Sequence, residues 1–175
     1  MGSVLLMKVI KPKKAIDREH FRKSFYNSMR RVATQVRKDF GKTTATWEHK
    51  VEFKESVSIA GPGPILQVWT DDLIYKFVDQ GTKPHEIWAG IYTGKSNKKV
   101  LAFGSQFKAK TQPRVLGSGP GARGGDMIFR PFVQHPGTEA REFSEMIQKD
   151  WKPRFKREME ATLRDAVKTS GYEVK

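Results

Sequence analysis

The sequence predicts an α+β fold, in which an N-terminal and a C-terminal helix pack on one face of a mainly antiparallel sheet, with long loops in the middle. Two long segments with helical periodicity bracket the chain, and stretches of alternating polar and apolar residues lie between them. The length of 175 residues and the 37% hydrophobic content suffice for one core. We expect a single domain over residues 15–170, preceded by an N-terminal extension over residues 1–14.

The first predicted helix covers residues 15–40, where apolar residues recur three to five positions apart and form one stripe. Asp17 is expected to cap its start and Gly41 to end it. Between Lys8 and Lys42 there are 12 Lys or Arg against three acids, so the solvent face of this helix is basic.

Strict alternation over Trp47 to Ile59 predicts a strand with one polar face, which favours an antiparallel sheet. The GPGP sequence at residues 61–64 predicts a turn into a second strand over residues 65–70. Shorter strands are expected at residues 74–78, 100–103 and 127–133.

Two middle segments look irregular, at residues 83–99 and 104–126. The second contains the sequence LGSGPGARGG and predicts a flexible glycine-rich loop. After it, Thr138 is expected to cap a C-terminal helix whose apolar residues run from Phe143 to Val167, with a kink or a break at Pro153.

The formal net charge of +14 suggests a polyanion or an acidic protein as a neighbour. Seven Lys or Arg and no acid lie between Ile87 and Gly125. The candidate polyanion contacts are Arg22, Arg30, Arg31, Lys95, Lys98, Lys99, Lys108, Lys110 and Arg123. A solvated basic face without a dedicated ligand explains the same charge.

Several kinds of site are excluded or weakly supported by the sequence. No cysteine is present, which removes disulfides and thiol catalysis. No apolar window is long enough to span a bilayer, and we expect no signal peptide and no membrane partner. The glycine-rich stretch lacks the Gly-Lys-Ser/Thr ending of a phosphate loop, so nucleotide hydrolysis is not predicted.

Histidines and one Glu-x-Lys element are the remaining candidates for chemistry. His85 and His135 each adjoin a proline in a loop, so they serve either as a converging catalytic pair or as rings that fix turns. Glu52 and Lys54 have the spacing of a metal-dependent nuclease, but a solvent-facing strand shows the same alternation. We predict no metal and no cofactor.

Two glycine loops, FVDQGTKPHEI and FVQHPGTEAREF, use nearly the same letters and are predicted to redirect the chain. Gly81 and Gly137 supply the backbone freedom, and Thr82 and Thr138 can bond the following turn. The predicted hinge and assembly residues are Gly81, Thr82, Pro84, His85, His135, Pro136, Gly137 and Thr138.

Taken in order along the chain, these elements resemble the tail-completion family of long-tailed bacteriophages, whose members are also described as head-tail joining, minor tail or virion morphogenesis proteins. The resemblance covers roughly residues 15 to 168. It is carried by the basic first helix, Val78-Asp79-Gln80-Gly81-Thr82-Lys83-Pro84-His85, Leu101-Ala102-Phe103, and His135-Pro136-Gly137-Thr138 with Phe143 opening a helix.

The resemblance implies a non-enzymatic structural subunit of the phage neck or head-proximal tail end. Such a subunit forms a homo-oligomeric ring, contacts neighbouring neck and tail proteins or packaged DNA, and resides in the virion after assembly in the host cytoplasm. Two alternatives stay open: a nucleic-acid-binding protein that uses the basic helix and loops, and a metal-dependent nuclease built on Glu52 and Lys54.

Overall fold

A computed structural model describes residues 17–60, 63–90 and 100–170. Within these residues there are three helices and six short strands, which confirms the α+β class. In chain order the elements are α1 (Arg18–Thr43), β1 (Lys54–Ala60), β2 (Gly63–Trp69), α2 (Leu73–Gln80), β3 (His85–Trp88), β4 (Leu101–Lys108), β5 (Ala122–Arg130), β6 (Phe132–His135) and α3 (Phe143–Thr169).

Helix α1 begins where the sequence predicts. The Asp17 carboxylate accepts the backbone N–H groups of Glu19 and His20, each at 3.0 Å, and so caps the helix. The expected end at Gly41 is wrong by two residues. The helix continues because Thr43 is fully buried and its hydroxyl donates to the Phe40 carbonyl at 2.7 Å.

The main core lies between α1, α3 and the inner face of the β1–β2 hairpin. Its buried members are Met29, Val32, Val36, Ile147 and Met159, and Val57, Leu66 and Val68 of the hairpin pack against them. Both long helices therefore lie on the same face of this hairpin, as predicted.

The two long helices also bond directly along their contact. Thr162 donates to the Ser28 hydroxyl at 2.9 Å, and the Trp151 indole donates to the Asp39 carboxylate at 2.8 Å. The first bond joins the first half of α1 to the second half of α3. The second bond joins the second half of α1 to the first half of α3. The helices therefore run antiparallel.

The expected single sheet is wrong in its extent, because the described strands form three separate two-stranded antiparallel sheets. The strand predicted from Trp47 begins only at Lys54, which pairs with Trp69 at the end of β2. Residues 47–53 precede this pair, and β2 has no residue opposite them because it ends at Trp69. Phe53 instead packs with Tyr75 and Phe143 in a second, smaller core.

The strand expected at residues 74–78 is wrong, because this segment belongs to α2. The Asp72 carboxylate accepts the Tyr75 N–H at 2.7 Å and caps the helix. Tyr75 and Asp79, one turn apart, are the buried residues of α2. Five residues are too few for the spacing of apolar residues to distinguish a short helix from a strand.

The irregular middle of the chain is shorter than predicted. Within residues 83–99, β3 covers His85–Trp88, and residues 91–99 lie outside the described part. Within residues 104–126, strands β4 and β5 occupy both ends and pair around a bulge between Gly104 and Gln106. A bulge lets two strands stay paired although one of them has an extra residue. Of residues 104–126, only residues 109–121 therefore form a loop. Its flexibility stays a prediction.

The start of the last helix also differs from the prediction. Thr138 is not its N-cap, because Thr138 bonds across to Thr82 instead. The helix begins at Phe143 after Glu142, and it runs through Pro153 as one element rather than breaking there. No helix within the described residues is both long and apolar enough to cross a membrane.

Candidate assembly site

The two glycine loops predicted as hinges meet in space and bond to each other. The Thr82 N–H donates to the Thr138 carbonyl at 2.9 Å, and the Thr138 N–H donates to the Thr82 carbonyl at 3.2 Å. His85 and His135 then pair directly at one end of the β3–β6 ladder. We call residues 79–85 together with 135–144 the junction.

Close backbone approach in the junction requires glycine at two positions. Gly81 has φ of 75°, and a Cβ there would lie 2.6 Å from the Thr138 carbonyl oxygen. Gly137 has φ of 92°, and a Cβ there would collide with the Thr82 carbonyl oxygen. Both values lie in the left-handed region, so any other residue would be strained as well as crowded.

The two histidine rings hold their own turns through opposite tautomers. His85 Nδ1 lies 2.8 Å from the Lys83 carbonyl oxygen, so this nitrogen carries the proton and donates it. His135 Nδ1 accepts the Gly137 N–H at 3.0 Å, so in the neutral ring the proton is on Nε2. The ring centroids are 5.1 Å apart. Each ring fixes a turn beside Pro84 or Pro136.

The sequence analysis missed the residue that links the junction to α3, which is Asp79. Its carboxylate accepts the Ser144 N–H at 3.1 Å and the Ser144 hydroxyl at 2.6 Å. Glu142 at the N-cap position makes no side-chain capping bond, so Asp79 caps the helix from a distant part of the chain. No local signal reveals this role, because the two residues are 65 positions apart.

A buried arginine ties the 109–121 loop to the junction. Arg141 is only 9% exposed, donates from Nε to the Thr111 hydroxyl at 3.2 Å and donates from a terminal nitrogen to the Glu139 carbonyl at 3.0 Å. The adjacent residue of the loop, Lys110, donates to the Thr46 carbonyl at 2.8 Å. The loop is therefore attached to the body of the protein.

Strands β3 to β6 form a ribbon, by which we mean residues 85–90, 100–108 and 122–135. Strands β5 and β6 are separated only by Pro131, and β4 and β3 pair with them in turn. The β3–β6 end of this ribbon begins at the junction, and the β4–β5 end leads into the anchored loop.

Large apolar side chains of the ribbon face solvent. The exposed residues are Trp88, Val100, Phe103, Phe107, Met127, Phe129 and Phe132. Phe107 is 75% exposed and Phe129 is 61% exposed. Phe129 and Phe103 belong to adjacent cross-strand pairs, Ala102–Phe129 and Phe103–Ile128, so their side chains point to opposite faces of the ribbon. A concentration of large exposed apolar side chains is typical of an interaction site.

The predicted polyanion contacts fall into separate groups. Arg22, Arg30 and Arg31 are exposed on α1. Lys108, Lys110 and Arg123 line a cleft of about 1050 Å³ that extends from α2 to the junction. Lys95, Lys98 and Lys99 lie outside the described residues.

The cleft contains aromatic side chains and two acidic side chains, Glu48 and Glu139, beside these cations. Trp47 and Phe107 line it, and Glu48 lies 3.5 Å from Lys110 and 3.9 Å from Arg123. Glu48 and these two cations are therefore close enough to one another for partial neutralisation.

The nuclease candidate residues lie on an open surface. Lys54 donates to Asp71 at 2.7 Å, and this hydrogen bond and the carboxylate charge raise the pKa of Lys54. Glu52, Lys54 and Asp71 are all exposed. Across residues 17–60, 63–90 and 100–170, no three Asp, Glu or His side chains are grouped so that they could hold a metal ion.

Comparison with known proteins adds no relative. No family model matches the chain, and the comparisons with curated proteins and with solved structures find no significant match. The function is therefore argued from the junction, the ribbon and the cleft.

Proposed function

We propose that this chain is a structural subunit of the neck or head-proximal tail end of a long-tailed bacteriophage. It completes the tail and supports head-tail joining by assembling into a ring, without catalysis. The proposal combines the sequence resemblance with the exposed apolar ribbon, which carries it on the structural side. Neighbouring neck and tail proteins, and packaged DNA, are its expected contacts, and the virion is its expected location.

The ribbon supports assembly because it would contribute little stability to an isolated subunit. A two-stranded ladder alone is marginally stable in water, since one pair of strands cannot bury both faces. Here the ladder presents Phe103 and Phe129 to solvent on opposite faces. Contact with other subunits would remove that apolar surface from water, at about 25 cal/mol per Å² of apolar area.

The junction connects this ribbon to the helical body, by which we mean α1, α3 and the β1–β2 hairpin. Its paired backbone bonds and its two glycines set the direction in which β3 leaves and β6 returns. The Asp79 cap joins the same point to α3. In the proposed assembly, Gly81, Thr82, Pro84 and His85 orient the ribbon, while His135, Pro136, Gly137 and Thr138 orient the last helix.

Deleting the gene from its parent phage or prophage tests the proposal. After induction and lysis, electron microscopy should show filled heads beside unattached or aberrant tails. Supplying the intact gene in trans should restore joined particles, whereas a gene that encodes Gly137→Val should not. Intact, infectious virions from the deletion strain would exclude the assembly role.

The cleft favours nucleic-acid binding as a second candidate function. Lys108, Lys110 and Arg123 bring positive charge beside Trp47 and Phe107, and aromatic rings next to cations are typical of single-strand sites. Glu48 opposes this reading, because it already neutralises part of the charge.

A salt titration separates the two functions. Binding of the purified protein to labelled single-stranded and duplex DNA is measured from low to high salt. Tight binding that weakens steeply with salt, and falls further in Lys108→Gln and Arg123→Gln, would support a nucleic-acid role. Binding that is weak at every salt concentration would leave ring assembly as the only candidate with structural support.

A further inference from the structure

Strand β2 has an open edge beside a large apolar groove. Among the described strands, β2 pairs only with β1. A groove of about 1430 Å³ runs along its other side, lined by Ile65, Leu66 and Val68 of β2 and by the first turns of α3. Both faces of β2 and no residue of β1 line the groove, so the groove follows the free edge of β2.

The register shows which backbone groups point into this groove. Ala60 pairs with Gly63 at the closed end of the hairpin, and hydrogen-bonded and non-hydrogen-bonded pairs alternate from there. Leu66, opposite Val57, and Val68, opposite Glu55, fall in the non-hydrogen-bonded pairs. Their N–H and C=O groups therefore face the free edge, where an added strand would bond them.

The side chains around this edge require an apolar occupant on both faces. On the inner side, Leu66 and Val68 continue into the groove floor with Val36, Phe40 and Trp151. On the outer side, Ile65 is 47% exposed and Trp69 is 40% exposed. A strand with apolar residues at alternate positions could cover only one of these two surfaces.

One segment of the chain matches these requirements. The sequence VLLMKVI at residues 4–10 has apolar residues at both odd and even positions, with Lys8 as the only polar one. Its seven residues equal the seven residues of β2. We propose that residues 4–10 of one copy add as a third strand to the free edge of β2 in a neighbouring copy.

The reach of the chain favours a neighbouring copy over the same copy. From Arg18 to Val32, where α1 meets the groove, the helix rises about 21 Å. Residue 10 is eight Cα–Cα steps from Arg18, and these steps span at most about 26–29 Å when fully extended. Within one copy, the linking residues would therefore have to use most of their extended length to reach even the nearest point of the groove. A neighbouring copy imposes no such tension. This proposal rests on the ring assembly proposed above.

Photo-cross-linking tests the contact directly, because the chain has no cysteine. Gln67→Cys, on the exposed face of β2, is labelled with benzophenone maleimide in full-length protein. An equal mixture of ¹⁴N and ¹⁵N protein is irradiated, and cross-linked peptides are identified by mass spectrometry. Ser56→Cys, opposite Gln67 on β1 and farther from the free edge, is the matched control.

The proposal predicts cross-links from residue 67 to residues 1–10 that join ¹⁴N and ¹⁵N peptides, and few from residue 56. Cross-links to residues 1–10 only within one isotope would show that the strand folds back onto its own chain and would overturn the proposal. Cross-links to other segments, or none to residues 1–10, would also overturn it.

Two substitutions within residues 4–10 give an independent measure. Leu5→Asp with Val9→Asp places charges in the proposed strand and should weaken self-association in sedimentation velocity by at least about 10-fold, because each charge would enter an apolar groove. Lys8→Asp changes the charge equally but at the one polar position, and it should change association less. Equal effects would contradict a buried strand.

The outcome is distinguishable from failure of the proposed function. Unjoined heads and tails in the deletion strain, without the isotope-mixed cross-links, would keep the head-tail role and remove the strand contact. Isotope-mixed cross-links together with intact virions in the deletion strain would keep the contact and remove the head-tail role.

Discussion

The helical body and the ribbon of this protein contain similar apolar residues, but the body buries them and the ribbon exposes them. In the body, α1 and α3 bury Met29 and Ile147 against the β1–β2 hairpin. In the ribbon, residues just as apolar, such as Phe107 and Phe129, face solvent. The body therefore has the contacts that stabilise a single chain, whereas the ribbon has apolar surface left for a partner. The junction is the point at which the two regions are fixed to each other.

Among changes to the junction and the ribbon, Gly137→Val should have the largest effect on stability, because it breaks the connection between the two regions. The substitution strains a backbone with φ of 92° and drives a side chain into the Thr82 carbonyl. We expect a loss of about 3 kcal/mol or more in the free energy of unfolding, measured by urea denaturation. Gly41→Ala is the control, since a Cβ at Gly41, inside α1, has open space and should stabilise by about 0.5–1 kcal/mol. An unchanged midpoint for Gly137→Val would remove the hinge assignment.

Asp79→Ala should rank second, because it uncaps α3 without filling or straining the junction. Ser144 would lose the acceptor for both its N–H and its hydroxyl. A loss of about 1–3 kcal/mol is expected from a helix cap that is also buried. Asp126→Ala in the exposed strand β5 should change stability by less than about 0.5 kcal/mol. Equal losses in the two variants would show that Asp79 does not cap the helix.

Acidification should have a smaller effect, which acts on the body through Asp72. Burial alone would raise the pKa of Asp72, but the hydrogen bonds from the Tyr75 backbone and from His49 outweigh it and lower the pKa. A lowered folded-state pKa means that this stabilisation is present above the unfolded-state value, about 3.9, and is lost as the pH falls through the folded-state value. Unfolding midpoints from pH 6 to pH 2 should fall less in Asp72→Asn than in the unaltered protein. Parallel curves would contradict this.

Phe129→Ser should have the smallest effect on the single chain and a large one on assembly. Phe129 is 61% exposed, so its removal should change the free energy of unfolding by less than about 0.5 kcal/mol. In complementation of the deletion strain, the same variant should leave heads and tails unjoined. Phe143→Ser, in the second core, is the contrast, because this fully buried side chain should cost about 3–5 kcal/mol. Full complementation by Phe129→Ser would remove the ribbon as the assembly surface.

Local patterns were sufficient for much of the body and for little of the site. The prediction of α1 and of its Asp17 cap depends on residues that are three or four positions apart. The polar face of β1 follows from the alternation of polar and apolar residues. The strand expected at residues 74–78 failed because a segment that short satisfies either period. Thr138 failed as a cap because its backbone pairs with Thr82, 56 positions away.

By itself, the sequence determined the α+β class, the two long helices, the first hairpin and the glycines at the two turns. Each of these depends on backbone conformation and periodicity within a few residues. The tertiary structure alone decided that the two glycine loops form one junction, that Asp79 caps α3, and that the ribbon is left apolar and exposed. Those features depend on which distant segments meet when the core closes, and local periodicity carries no information about that distance.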